Sequence, residues 1–150
     1  MKLSLFISTF FISQFIFAQR DKINGTFKIL KTHENYSKNL SDSSSYGKWR
    51  LVETPKNANI LFDYNNKTIA VFDGRTTTYK IKSLQDSSVS KEDILYLYIC
   101  SHNQKTSGLN ICSVILVIPT DKNKLGELGV VINGVGRKYE FNINKPVVSN

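Results

Sequence analysis

The chain has few of the residues that most enzyme chemistry needs. Its 150 residues include two histidines, two cysteines, one tryptophan, one methionine and three prolines. Both histidines, His33 and His102, fall in polar stretches that read as loops. Neither stands at a ligand spacing from other His, Cys or acidic residues, whereas a zinc site usually takes three or four such ligands. No serine sits in a nucleophile elbow, and no glycine-rich loop has a phosphate-binding context. Cys100 and His102 are two apart, but nothing beside them marks an oxyanion hole. Asp63, Asp73, Glu53 and Glu140 could pair as carboxylates, yet each also fits a solvated strand face. With so small an inventory for acid–base or nucleophilic work, the expectation is a non-enzyme with no catalytic, cofactor-binding or metal-binding residues.

Long helical periods and basic runs are missing too. Lysine and arginine outnumber aspartate and glutamate by 20 to 12, for a formal charge of +8. They are scattered, often in pairs two apart such as Lys80 and Lys82. On a strand that spacing puts both on one solvated face. No cluster reads as a nucleic-acid patch, so the charge speaks to solubility rather than to a site.

The N-terminus is of a different kind. Met1-Lys2 is followed by an apolar stretch through Phe17, and the chain turns polar at Gln19-Arg20-Asp21. A positive start, an apolar core and a small residue at the cut describe a secretory signal peptide. The run is too short to span a membrane, which takes roughly 20 residues. Residues 1–18 are therefore expected to be removed after Ala18, although Ile16 at the −3 position is larger than usual. That leaves residues 19–150 as one domain, exported to a periplasm or secreted, with no transmembrane segment.

What remains is a series of short extended runs separated by turn residues. Strands are expected at 26–31, 47–53, 59–64, 67–73, 76–82, 94–100, 111–118, 130–132 and 137–143. Asn65-Asn66 and Asp73-Gly74 read as tight hairpin turns, and residues 133–136 as a glycine-rich turn. The longest polar stretch, 33–46, reads as a loop. Residues 83–93 read as a polar connection, in which Ser90-Lys91-Glu92-Asp93 also matches a helix-capping box. A helix over 91–101 competes there with a strand, and strand is favoured because both faces of the run are apolar. About 8–9 strands with connections too short for parallel crossovers imply an all-β fold. The best description is one small antiparallel β-barrel or strongly curled meander sheet, with a β-sandwich as the alternative.

The two cysteines lie in the most apolar runs of the mature chain. Setting Cys100 opposite Cys112 on neighbouring antiparallel strands places Tyr98 opposite Val114, Tyr96 opposite Leu116 and Ile94 opposite Ile118. Leu97 then meets Ile115, and Leu95 meets Val117. Nearly every pair is apolar, so the register is self-consistent. In an oxidising compartment Cys100 and Cys112 become disulfide candidates, with about 3 kcal/mol of stabilisation from closing such a loop; two buried free thiols are the alternative.

Gly47-Lys48-Trp49 at the start of a strand, with about eight strands following in meander order, resembles the Gly-x-Trp of lipocalins. The resemblance covers three residues and a strand count, and the family's other motifs do not appear in residues 103–110. It implies a barrel in which Trp49 packs near a closed end, beneath an arginine of the last strand, with Arg137 in that part. An aromatic-rich strand set with long polar loops and no catalytic constellation leads to the expectation of a monomeric exported barrel that holds a small apolar ligand, its mouth built from residues 33–46, 84–93 and 101–110. The alternative is an envelope or secreted interaction module that uses an exposed sheet face or edge.

Overall fold

The computed structural model describes residues 23–36, 49–104 and 110–147. The segment read as a signal peptide and Gly47-Lys48 lie outside them. Every regular element among the described residues is a strand: β1 Gly25–Tyr36, β2 Arg50–Val52, β3 Asn59–Asp63, β4 Thr68–Phe72, β5 Thr76–Val89, β6 Asp93–His102, β7 Ile111–Pro119, β8 Gly126–Ile132 and β9 Val135–Pro146. All pairings are antiparallel, and β3 through β9 follow in chain order. Pairing of β9 with β1 closes an eight-strand barrel. The extra strand, β2, lies on the same edge of β1 as β3, farther along it. The sandwich alternative is excluded by this closure.

Strand alternation sorts the chain into an inside and an outside. Along β6, Ile94, Tyr96, Tyr98, Cys100 and His102 are buried, while the residues between them are half-buried. Their partners on β7 are Cys112, Val114, Leu116 and Ile118, in the register expected from the cysteine pairing. Apolar alternation specifies register because a one-residue slip would turn every one of these side chains to the wrong face. The interior is filled. Phe27, Phe62 and Phe141 meet with ring centroids 5.5–5.8 Å apart, and Tyr96 stacks on Tyr98 at 6.0 Å. An eight-strand barrel has an interior only wide enough for such side chains or one small ligand, and here aromatic rings occupy it.

Several local expectations are corrected. Residues 33–36 are not loop but the last part of β1, drawn out by ladders to both β2 and β9. Residues 83–89 continue β5, paired with β6 through two register shifts. The polar composition that suggested a loop belongs to a strand segment that leaves β4 behind and faces solvent. Ser90 does use its hydroxyl as a cap, accepting the backbone N–H groups of Glu92 and Asp93 at 3.1 and 3.0 Å. The element it caps is the β5–β6 hairpin turn, not a helix. At the β3–β4 turn the positive φ falls on Lys67 rather than on an asparagine, and Asp63 accepts the backbone N–H of Asn66. Asn133 and Gly134 both have positive φ, the requirement of a two-residue type I′ hairpin.

Trp49 is not where the lipocalin resemblance puts it. It stands before β2 on the outer surface, 41% exposed, with its ring over Gly136 of β9. A Cβ at Gly136 would lie 2.9 Å from Trp49 Cη2. Arg137 points instead to the interior side of β9, toward Asp73 and Glu34. Gly136→Ala should therefore swing the sole tryptophan into water. The expected readout is a red-shifted emission maximum with a stability loss of less than about 1 kcal/mol, since the displaced atoms are the far end of a surface side chain. Unchanged emission would contradict the packing.

Candidate functional site

One end of the barrel is polar inside. It gathers the C-terminal end of β1, the β4–β5 turn, the end of β6 and the β8–β9 turn. Arg137 enters from β9 and donates to Asp73 of the β4–β5 turn and, at 2.6 Å, to Glu34 of β1. The Tyr139 hydroxyl donates to the same Asp73 oxygen at 2.8 Å. Strand alternation explains the placement: Arg137, Tyr139 and Phe141 share the inward face of β9, with the polar members nearest the mouth. Burial opposes charge on the Arg137 guanidinium, but Tyr139, Asp73 and Glu34 together outweigh it and raise its pKa. Burial, reinforced by the Asp73 charge, pushes the Tyr139 phenol up as well. Burial does the same to Tyr79, with help from Cys112 and Asp73. Both phenols therefore stay neutral hydrogen-bond donors.

Two openings flank Arg137. One is a cavity of about 330 Å³. It is lined by the polar Arg75, Arg137, Tyr79 and Gln104, by the apolar Val130 and Ile132 of β8, and by Asn133 and Val135 of the β8–β9 hairpin. The other is a cleft of about 270 Å³ with an acidic lining, Glu34, Glu53 and Asp73 beside Thr32 and Pro55. Arg137 lines both.

The candidates read from sequence are distributed unevenly around this end. His102 is not in a loop. It ends β6, faces inward opposite Tyr79, and is 5% exposed with no hydrogen-bond partner on either ring nitrogen among the described residues. His33 is also on a strand, outside the barrel, where it bonds Glu140 at 2.8 Å. Burial would raise the Glu140 pKa, but Lys31 and His33 outweigh it and hold the carboxyl below its ordinary range. Asp73, expected on a solvated face, is instead the hub of the interior network. No group of three or more His, Cys, Asp or Glu among the described residues is arranged to hold a metal ion. Of the expected mouth segments, 33–36 and 101–104 lie at the polar end and 84–93 at the opposite end, while 37–46 and 105–109 lie outside the described residues.

Cys100 and Cys112 are direct cross-strand partners, but they are free thiols. His102 N–H donates to Asn110 C=O, so alternation along the ladder makes Cys100–Cys112 a hydrogen-bonded pair. Side chains stand farther apart at such positions than at non-hydrogen-bonded ones, and the expected bridge is not formed in this structure. Burial pushes Cys100 up to about 12, with a further contribution from Cys112, and burial alone pushes Cys112 up to about 11. At pH 8 a disulfide-exchange reagent should label neither thiol in the native protein within minutes and both on unfolding. Fewer than two reactive thiols in non-reducing denaturant would show a bridge.

A second feature lies outside the barrel. Leu95, Leu97, Ile99, Ile115, Val117 and Val131 are half-buried and face outward on three adjacent strands. They make one apolar band across β6, β7 and β8. The part of β5 beyond Ile81 pairs only with β6, leaving one edge of that strand uncovered among the described residues.

Comparison with protein families, curated proteins and solved structures finds no match to this chain. What stands is the class that the fold defines: a closed eight-strand antiparallel β-barrel with one additional strand.

Proposed function

We propose that this protein is an exported, monomeric, non-catalytic barrel that binds a small ligand at its polar end. The observation that supports this is the division of the interior. Aromatic rings fill the barrel from Phe27, Phe62 and Phe141 to Tyr139, while the cavity of about 330 Å³ beside Arg137 has both polar and apolar walls. Ligand sites are typically concave and largely apolar with a few placed polar groups, roughly 300–1,000 Å³ in volume. The ligand seat is therefore the mouth, not the centre, and the ligand is small. Native mass spectrometry and solvent extraction of the protein from its own compartment should recover a bound small molecule. The adduct should vanish in Ile132→Trp, which fills the cavity. Repeated preparations without any adduct, together with no thermal shift from a panel of small amphiphiles, would sink the reading.

The outer band on β6–β8 favours a second reading, an envelope or secreted interaction module that uses a sheet face. Contiguous outward apolar area marks such surfaces. Cross-linking the full chain in its own compartment should then capture one partner, and Ile115→Lys should abolish the capture while the barrel stays folded. Capture unaffected by Ile115→Lys would rule out this face.

A further inference from the structure

We infer that the cavity takes a small carboxylate with a short apolar body, its head group held by Arg75 and the open side of Arg137. This rests on the reading of the polar end as a ligand seat and names the class of ligand. The sign of charge around the cavity carries it. Both charged residues of the lining are arginines, and no acidic residue lines it. The carboxylates that compensate Arg137, Glu34 and Asp73, line the acidic cleft and not this cavity. Arg137 gives one nitrogen to each of them, and a guanidinium carries five N–H groups in a fork, so donors remain for the cavity side. Arg75, exposed in the β4–β5 turn, has no ion pair among the described residues. Two guanidinium groups lining one cavity suit a planar carboxylate, which accepts paired hydrogen bonds from arginine.

The other groups fit the same ligand. Tyr79 offers a hydroxyl that burial keeps protonated, so it can donate to an anion without repelling it. Gln104 is held in place by its bond to Thr77 Oγ1 at 2.9 Å. Val130, the ladder partner of Arg137, and Ile132 provide an apolar surface for a hydrocarbon body. A volume of about 330 Å³ admits a short chain or a single ring and excludes a long acyl chain. A cationic ligand would meet two arginines, and a purely apolar one would cover Arg75 without offering it a hydrogen-bond acceptor.

Calorimetric titration of the full chain with octanoate, 1-octanol, acetate and inorganic phosphate tests this. Octanoate should bind, with acetate and phosphate at least about tenfold weaker for want of the apolar contact. Arg75→Gln should weaken octanoate about tenfold, the loss of one charge-assisted hydrogen bond, and leave octanol unchanged. Octanol binding as tightly as octanoate, or octanoate indifferent to Arg75→Gln, would overturn the carboxylate assignment and leave the ligand seat standing. Acetate or phosphate binding as well as octanoate would overturn the apolar body. Binding of none of the four would overturn both the assignment and the seat.

Discussion

Arg137→Met should destabilise the barrel by about 3 kcal/mol, the lower end of the cost of breaking a buried ion pair. The side chains of Asp73 and Glu34 are only 6% and 10% exposed. Removing the guanidinium leaves both carboxylates with little water to replace it. Arg137 itself is 35% exposed, which keeps the estimate at the low end, since solvent screens part of the pair. Tyr139 would still donate to Asp73, but one neutral hydrogen bond does not offset a buried charge. In urea the midpoint should fall with the slope unchanged. A double-mutant cycle with Asp73→Asn should return a coupling energy above about 1 kcal/mol. A loss below that for Arg137→Met alone would mean that the network is hydrated and contributes little. The same variant removes one wall of the proposed ligand seat, so stability and binding must be read on the same samples.

Phe141→Ala should cost about 3–5 kcal/mol, the range for deleting a buried aromatic ring. Phe141 is fully buried and lies within 5.5 Å of both Phe27 and Phe62, centroid to centroid. It sits on β9 opposite Ile29 of β1, so it packs at the seam where the barrel closes. The ring also lies against β8, where a Cβ at Gly126 would come within 3.1 Å of Phe141 Cζ. Gly126→Ala should therefore be destabilising by roughly 1–3 kcal/mol through overpacking, and less so when combined with Phe141→Leu, which frees space. Equal effects of Gly126→Ala in both backgrounds would show that the ring and the glycine do not share the contact. Equilibrium unfolding by denaturant measures the four variants against the wild type.

The barrel's local structure was largely legible in the sequence because its causes are local. Alternation with period two separates the two faces of β9, and apolar complementarity sets the Cys100–Cys112 register, whereas β6 and β7 are apolar on both faces and leave open which one turns inward. The turns at Gly74 and Gly134 follow from residues that tolerate positive φ. Where composition misled, two structures shared one signal. The polar stretch 83–89 suits a loop, and equally a strand whose outer edge stays in water. Ser90 and Asp93 suit a helix cap, and equally a hairpin turn with the same side-chain bonds.

The sequence by itself determined the presence and order of most strands, the register of β6 on β7 and the two faces of β9, since each depends on neighbours a few residues away. Only the tertiary structure decided that β9 returns to β1 and closes the barrel. That closure brings Arg137 to Glu34 and Asp73, 103 and 64 residues distant in the chain. A charge on a strand reads as solvated until the opposite strand supplies its partner. For the same reason Asp73 passed as a surface residue, Trp49 as a core one, and the basic cavity beside Arg137 had no signature in the sequence at all.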